Sequence, residues 1–382
     1  MASMKNAIHS GKALARVDGV EALRCIAAVM IVVFHTVALS RMVIPSYLDV
    51  IRTHFGLGVP LFYTLSGFVL AYGYADSLGT RDRVVRFYIR RFFRIAPLFY
   101  LMVGVWILFS KLRWDLSVGY PDIVLNLTLL FGLVPGMHES IVWAGWSIGI
   151  EILFYIVFPL MALLLTSRAS AVVACCVSAV ISSMEYRALT GLNVGSYAYM
   201  NLITQLPFFV SGILAYLVWR DDGFTRRRLL GRVMLFGTLC AAAAVVYLPI
   251  VHTVLLSIRG VAADLYVWAP IFAALIMSIC YSPNRIVVNR VSRHLGRASF
   301  SMYLVHPLMI VMLPPVYRVL DAALGSGTIG VAGRIVSTLA VVAAVASLSY
   351  AAVEKPGIRL GAAVADKYAR PASGRDRSQL PV

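Results

Sequence analysis

Arg24 and His35 lie in one apolar run, RCIAAVMIVVFH, with eleven residue steps between them. An ionisable side chain at membrane depth is costly and is retained where it has a function. Eleven helical steps of about 100° come to roughly 20° beyond three turns, so both side chains leave one face, about 16 Å apart along the axis. A charged anchor at one end of that face and a titratable imidazole toward the other suit a site that runs through most of a bilayer.

Two further segments carry chemistry. In RFYIRRFFRIAP, 86 to 97, the residues Arg86, Arg90, Arg91 and Arg94, with Arg83 one turn ahead of them, recur at spacings of three and four, interleaved with Phe87, Tyr88, Phe92 and Phe93. Such a stripe anchors a span on the cytoplasmic side. It also offers guanidinium forks for phosphates and aromatic faces for an adenine ring, as a polyphosphate such as coenzyme A requires. In WSIGIEILFYIVFP, 146 to 159, Glu151 sits inside an apolar run, at a depth comparable to that of His35. The expected arrangement is a carboxylate beside an imidazole, with Glu151 fixing the tautomer and His35 acting as general base on an alcohol. The alternative for Glu151 is a helix contact satisfied by Ser147 or Trp146.

Weaker signals accompany these. GVPLFYTLSGF brings Gly58, Ser66 and Gly67 into a span, which reads first as close helix packing. SFSMYLVHP places Tyr303 and His306 ahead of Pro307, where His306 reads as a hydrogen-bonded core histidine. VEKP, with Glu354 ahead of Pro356, reads as the end of the last span.

The elements that position these residues follow from composition. With 60% hydrophobic residues, 13% charged and a mean hydropathy of +0.83 over 382 residues, the chain exceeds what one soluble core can bury. The expected fold is an all-α polytopic membrane protein. Apolar windows predict ten spans near 20–40, 57–75, 95–110, 145–166, 170–184, 200–219, 233–250, 264–281, 300–317 and 335–353. The stretch 121–136 reads as re-entrant or interfacial, because letting it cross would move the arginines of 220–232 outside. Ten spans with both termini cytoplasmic place 25 of the 34 Lys and Arg on the cytoplasmic side, leaving 8 external and Arg24 embedded. That asymmetry accounts for the net charge of +17 through a lipid bilayer, with no nucleic-acid partner. The organisation reads as a cytoplasmic segment 1–17, an integral membrane domain 18–358 and a polar cytoplasmic tail 359–382. The five cysteines fall in apolar spans without a C-x-x-C pair, and no metal constellation is visible.

The chain resembles the membrane acyltransferase-3 family, whose members O-acylate bacterial polysaccharides, lipopolysaccharide, Nod factors and some secondary metabolites. VEALRCIAAVMIVVFH, LFYTLSGFVL, RRFFRIAPLFY, WSIGIEILFY and SMYLVHP carry the resemblance, in the family's order, across 18–307. It implies acyl-CoA, acetyl-CoA first among them, as a cytoplasmic donor. It implies a glycan hydroxyl as acceptor, reached from the periplasmic side of a bacterial inner membrane, and importance for Arg24, His35, the arginines of 86 to 94 and Glu151. The esterase-like domain that some members carry after the membrane part is not expected in this chain. Residues and resemblance together suggest His35 as base, oriented by Glu151. Arg24, Arg86, Arg90, Arg91 and Arg94 would hold the CoA phosphates, Ser66, Trp146, Ser147, Tyr303 and His306 would support, and no metal would take part. The alternative is a transporter or flippase in which Arg24, His35 and Glu151 form a relay. Against it, no inverted repeat is visible and the basic cluster sits at one membrane surface.

Overall fold

A computed structural model of the chain describes residues 18–75, 77–223, 227–258, 262–325 and 327–368; the expected segment 1–17 and the tail beyond 368 lie outside them. The first helix, α1 (Asp18–Leu39), opens with Asp18 and Glu21 in its first turn, where carboxylates complement the helix dipole. It is followed by α2 (Gly58–Tyr74), α3 (Arg81–Trp114), the short α4 (Tyr120–Thr128), α5 (Trp146–Leu164), α6 (Arg168–Gly191), α7 (Leu202–Asp221), α8 (Arg228–Tyr247) and α9 (Trp268–Tyr281). Then come α10 (Arg290–Arg297), α11 (Ser299–Met312), α12 (Pro314–Leu324), α13 (Thr328–Ser349) and α14 (Lys355–Lys367). Among the described residues nine helices are long and apolar enough to cross a membrane, or ten when α10 and α11, bent by 75°, count as one broken span. The chain is an all-α polytopic membrane protein.

The structure adds detail to several expectations. The span near 300–317 is not one straight helix: α11 has 14 residues, about 21 Å, and Pro314 and Pro315 begin a new helix because neither can donate to the preceding turn. The stretch 121–136 yields a nine-residue helix that stops at Leu129 in the left-handed region (φ 61°), too short to cross. VEKP does not end the last helix. A π-turn over Tyr350–Glu354, where Lys355 N–H reaches back to the Tyr350 carbonyl, absorbs the proline and carries the helix on to Lys367. The residues 359–367, expected as tail, therefore belong to a helix that packs on α3, where a Cβ at Gly361 would lie 2.5 Å from Phe93.

The bundle closes around the chemistry-bearing helices. At Gly67 an added Cβ would lie 2.0 Å from the Phe209 carbonyl oxygen, and at Gly212 2.0 Å from that of Thr64, so the backbones of α2 and α7 touch. Gly58 makes the same kind of approach to the Ala27 carbonyl of α1. Phe68, Phe154, Phe158, Phe208 and Phe209 fill the interior with no exposure. Outer helices turn apolar rows outward, Val173, Val177, Val180 and Met184 on α6 and Val233, Phe236 and Leu239 on α8, as a lipid-facing surface requires. One end of the bundle gathers the starts of α1, α3, α6 and α8; ion pairs there tie Arg168 to Asp221 (2.8 Å), Arg293 to Asp18 (3.1 Å) and Arg90 to Asp366 (3.0 Å). This is the basic end, and the opposite one is the far end.

Candidate active site

His35 Nδ1 lies 3.0 Å from His306 Nε2, bringing together two histidines that the sequence places 271 residues apart. Hydrogen-bond partners assign the neutral tautomers of both rings. His306 Nδ1 is 2.6 Å from the Tyr303 carbonyl, which can only accept, so Nδ1 carries the proton and Nε2 a lone pair. His35 Nδ1 therefore donates, to His306 Nε2 and to the Ile31 carbonyl at 3.2 Å. The lone pair of His35 remains on Nε2, free of any hydrogen-bond partner among the described residues. The local sequence builds this: Pro307 has no N–H to donate to the Tyr303 carbonyl one turn back, and His306 takes the acceptor that the proline leaves free. His306, fully buried, is thus hydrogen-bonded through both ring nitrogens, as a core histidine is expected to be, with His35 as one of its two partners.

From the pair, a row of polar groups runs along α5. Ser147 Oγ donates to the Tyr303 hydroxyl at 2.7 Å, and Tyr303 donates on to the Ala144 carbonyl at 2.5 Å. The Tyr303 ring lies 5.6 Å from that of His306. Trp146 packs edge-on against Tyr63 and at 5.8 Å from Tyr199, which makes it a wall of this layer.

Glu151 is one turn further along α5, and here the expected geometry is corrected. No hydrogen bond joins Glu151 to His35. Its Oε1 accepts from Tyr155 at 2.5 Å and from Ser66 at 3.2 Å. The physical reason is that α2 lies between α1 and α5. Gly67 makes the close packing on α7, and the hydroxyl of Ser66 beside it donates to the carboxylate.

Tyr155 leads to the basic end. The Arg91 guanidinium stands 5.6 Å from the Tyr155 ring, 5.1 Å from that of Tyr74 and 5.8 Å from that of Phe87, and donates to the Tyr74 hydroxyl at 3.2 Å. A cavity of about 280 Å³ opens beside it, into which Arg24, Arg90, Arg91, Glu21, Tyr72 and Tyr74 project. Nε of Arg24 and Nε of Arg91 are buried without a hydrogen-bond partner, two donors in a setting where an unmade bond is costly. The five arginines proposed together for phosphates thus divide. Arg24, Arg90 and Arg91 line the cavity, whereas Arg86 is bonded to the Asp82 carbonyl on its own helix at 3.2 Å. Arg94 lies 3.8 Å from Glu354, whose other oxygen accepts from Ser301 at 2.7 Å.

Sequence reasoning missed Tyr155, Tyr74 and Glu354. Tyr155 had a signal, standing four residues after Glu151 on the same helical face. Glu354 had one too, a carboxylate in an apolar run, set aside for the proline that follows. Tyr74 had none that separates it from the other aromatics.

Comparison with known proteins identifies the family. The acyltransferase domain family, acyltransferase-3, matches residues 17–353. Acyltransferase MdmB of Streptomyces mycarofaciens is 29% identical over 346 residues, covering 81% of this chain and 82% of that protein. YrhL of Bacillus subtilis, named as a peptidoglycan O-acetyltransferase, is 26% identical over 78% of this chain and 50% of its own length. BcsY of Komagataeibacter xylinus, named as a membrane-bound transacylase, is 28% identical over 43% of this chain and 45% of its own. No solved structure matches the chain.

Proposed function

The chain belongs to the acyltransferase-3 family and is a membrane O-acyltransferase; on that premise we propose that it moves an acetyl group from acetyl-CoA to a hydroxyl of a cell-surface glycan. The observation that carries this reading is the series of polar groups between the guanidinium-lined cavity and the His35–His306 pair: Tyr155 and Glu151, then Ser147 and Tyr303. In it the basic end faces the cytoplasm of a bacterial cell, where the positive-inside rule puts it, and the far end faces the periplasm.

Arg24, Arg90 and Arg91 hold the CoA phosphates through charge-assisted hydrogen bonds, and the pantetheine arm carries the thioester inward along the face shared by Arg24 and His35. A sugar hydroxyl is far too weak an acid to attack as the alkoxide at neutral pH. As its oxygen bonds to the thioester carbonyl carbon, His35 Nε2 takes its proton, and the C–S bond then breaks. The CoA sulfur leaves and receives that proton from His35. His306 positions the base: when His35 becomes an imidazolium, its Nδ1–H bond to His306 Nε2 becomes charge-assisted. Glu151 acts through Tyr155, holding the ring against which Arg91 is stacked.

The test is mass spectrometry of envelope glycans from a strain lacking this chain. One ester should be missing, should return with the wild-type chain and should stay missing with His35→Ala. Full acetylation in the deletion strain would overturn the reading. Labelling at Gly223→Cys by an impermeant thiol reagent in intact cells would overturn the orientation.

A further inference from the structure

A second cavity, of about 290 Å³, opens at the far end, lined by Tyr186, Thr190, Asn193, Gly195, Ala198 and Tyr199. None of the six is charged, in contrast to the arginines of the other cavity. Such a lining does not select an anion. A tyrosine ring gives a flat apolar face for the C–H side of a pyranose, while phenol, hydroxyl and carboxamide groups exchange hydrogen bonds with sugar hydroxyls.

The wall is held in shape before any ligand arrives. Asn193 (φ 54°) and Gly195 (φ 62°) turn the chain through the left-handed region, which shapes the rim. His138 Nδ1 accepts the Gly136 N–H at 3.1 Å, so its Nε2–H donates to Ser196 Oγ at 3.0 Å, and Ser196 donates to Glu139 at 2.6 Å. Asn201 caps α7 and binds the Tyr197 and Ala198 carbonyls, fixing the other side of the same turn. The pocket also communicates with the chemistry. Tyr199 lies 5.8 Å from Trp146, next in the chain to Ser147, which bonds to Tyr303 beside His306.

We infer that this pocket is a subsite for an uncharged sugar residue of the acceptor, one that neighbours the residue being acylated. Trp146, Ser147, Tyr303 and His306 separate it from His35, so a sugar seated there is not the one whose hydroxyl reacts. The acceptor class is therefore an oligosaccharide or polymer, and not a free monosaccharide. This inference rests on the glycan acceptor proposed above.

The experiment measures transfer from radiolabelled acetyl-CoA, in membranes containing the chain, to envelope glycan of the deletion strain. The same glycan hydrolysed to monosaccharides is the second acceptor. Wild type is expected to prefer the intact glycan. Asn193→Ala and Tyr186→Ala should each raise the KM for intact glycan about tenfold, the scale of one lost hydrogen bond or ring contact. Their kcat, their KM for acetyl-CoA and their weak use of monosaccharides should be unchanged, and the acetyl-CoA KM reports folding. Tyr186→Phe, which keeps the ring, should fall between. If wild type acetylates the glycan and both alanine variants keep its KM, the subsite is wrong while the enzyme reading stands. If wild type transfers nothing to either acceptor, the glycan reading fails and the subsite with it.

Discussion

Two cavities of this molecule, at its opposite ends, are similar in volume and opposite in chemistry. At the basic end three guanidiniums and Glu21 surround a space of about 280 Å³, with buried Nε donors left unmade. At the far end six uncharged residues surround about 290 Å³. The first is made by regular helix, with the consecutive Arg90 and Arg91 on α3 and Arg24 embedded on α1. The second is made by a turn that leaves regular helix, through left-handed Asn193 and Gly195. An enzyme that joins an anionic donor to a neutral acceptor needs two recognition chemistries that do not compete. On the proposed reading, the two ends of one bundle supply them, with the histidine pair between.

The largest expected effect breaks the centre and leaves both ends intact. His35→Ala should lower transfer by about 10² to 10⁴, the range of a lost general base, with acetyl-CoA binding retained in purified protein. Loss of binding as well would make His35 part of the donor site. Next, Arg24→Ala and Arg91→Ala should each raise the KM for acetyl-CoA by roughly 10- to 100-fold, as for a charge-assisted hydrogen bond, and leave the glycan KM alone. Arg86→Ala, whose side chain is bonded within its own helix, should do neither.

A double-mutant cycle sharpens the comparison within the centre. His35→Ala and His306→Gln should be strongly non-additive, because the two rings act as one unit. His35→Ala and Glu151→Gln should be close to additive, since Glu151 belongs to the Tyr155–Arg91 side. Pro307→Ala probes the same pair through the backbone. A restored N–H would compete with His306 for the Tyr303 carbonyl and lower kcat about tenfold, as one displaced hydrogen bond can, without changing the acetyl-CoA KM.

These expectations show how far the sequence could be read. Long apolar runs specify spans through length alone, so the helices carrying Arg24, His35, the arginines of 86 to 94 and Glu151 were all legible. The break at α11 was legible in retrospect from Pro314 and Pro315. Which residues meet was harder to read. Depth arithmetic placed His35 and Glu151 at one level but could not say that α2 stands between them, because neighbour order in a bundle is set by small-residue crossings such as Gly67 on α7. The His35–His306 contact was hidden for the same reason, although the His-Pro step of 306 and 307 marks a carbonyl in need of a donor. The far-end pocket left almost no trace, since turns of Asn and Gly are common in any chain.

The smallest effect concerns the far-end wall. Burial holds the His138 imidazole below its ordinary range, with Glu139 opposing. A histidine whose folded pKa is lowered stabilises its loop fully above about pH 6.5, and the contribution fades as pH falls below that value and the ring is forced to charge. Amide exchange over residues 134–140, corrected for its intrinsic pH dependence, should be up to a few-fold faster at about pH 5.5 than at about pH 7.5. An unchanged rate would mean that His138 does not hold the wall.

The account rests on donor and acceptor meeting from opposite ends of the bundle, and proteoliposomes of uniform orientation test that directly. Radiolabelled acetyl-CoA is supplied to one face only and the envelope glycan to the other. Transfer is predicted when acetyl-CoA is on the face carrying Arg81 to Arg94 and the glycan is opposite, and not in the reverse arrangement. Transfer that occurs only when both substrates share one face would contradict it.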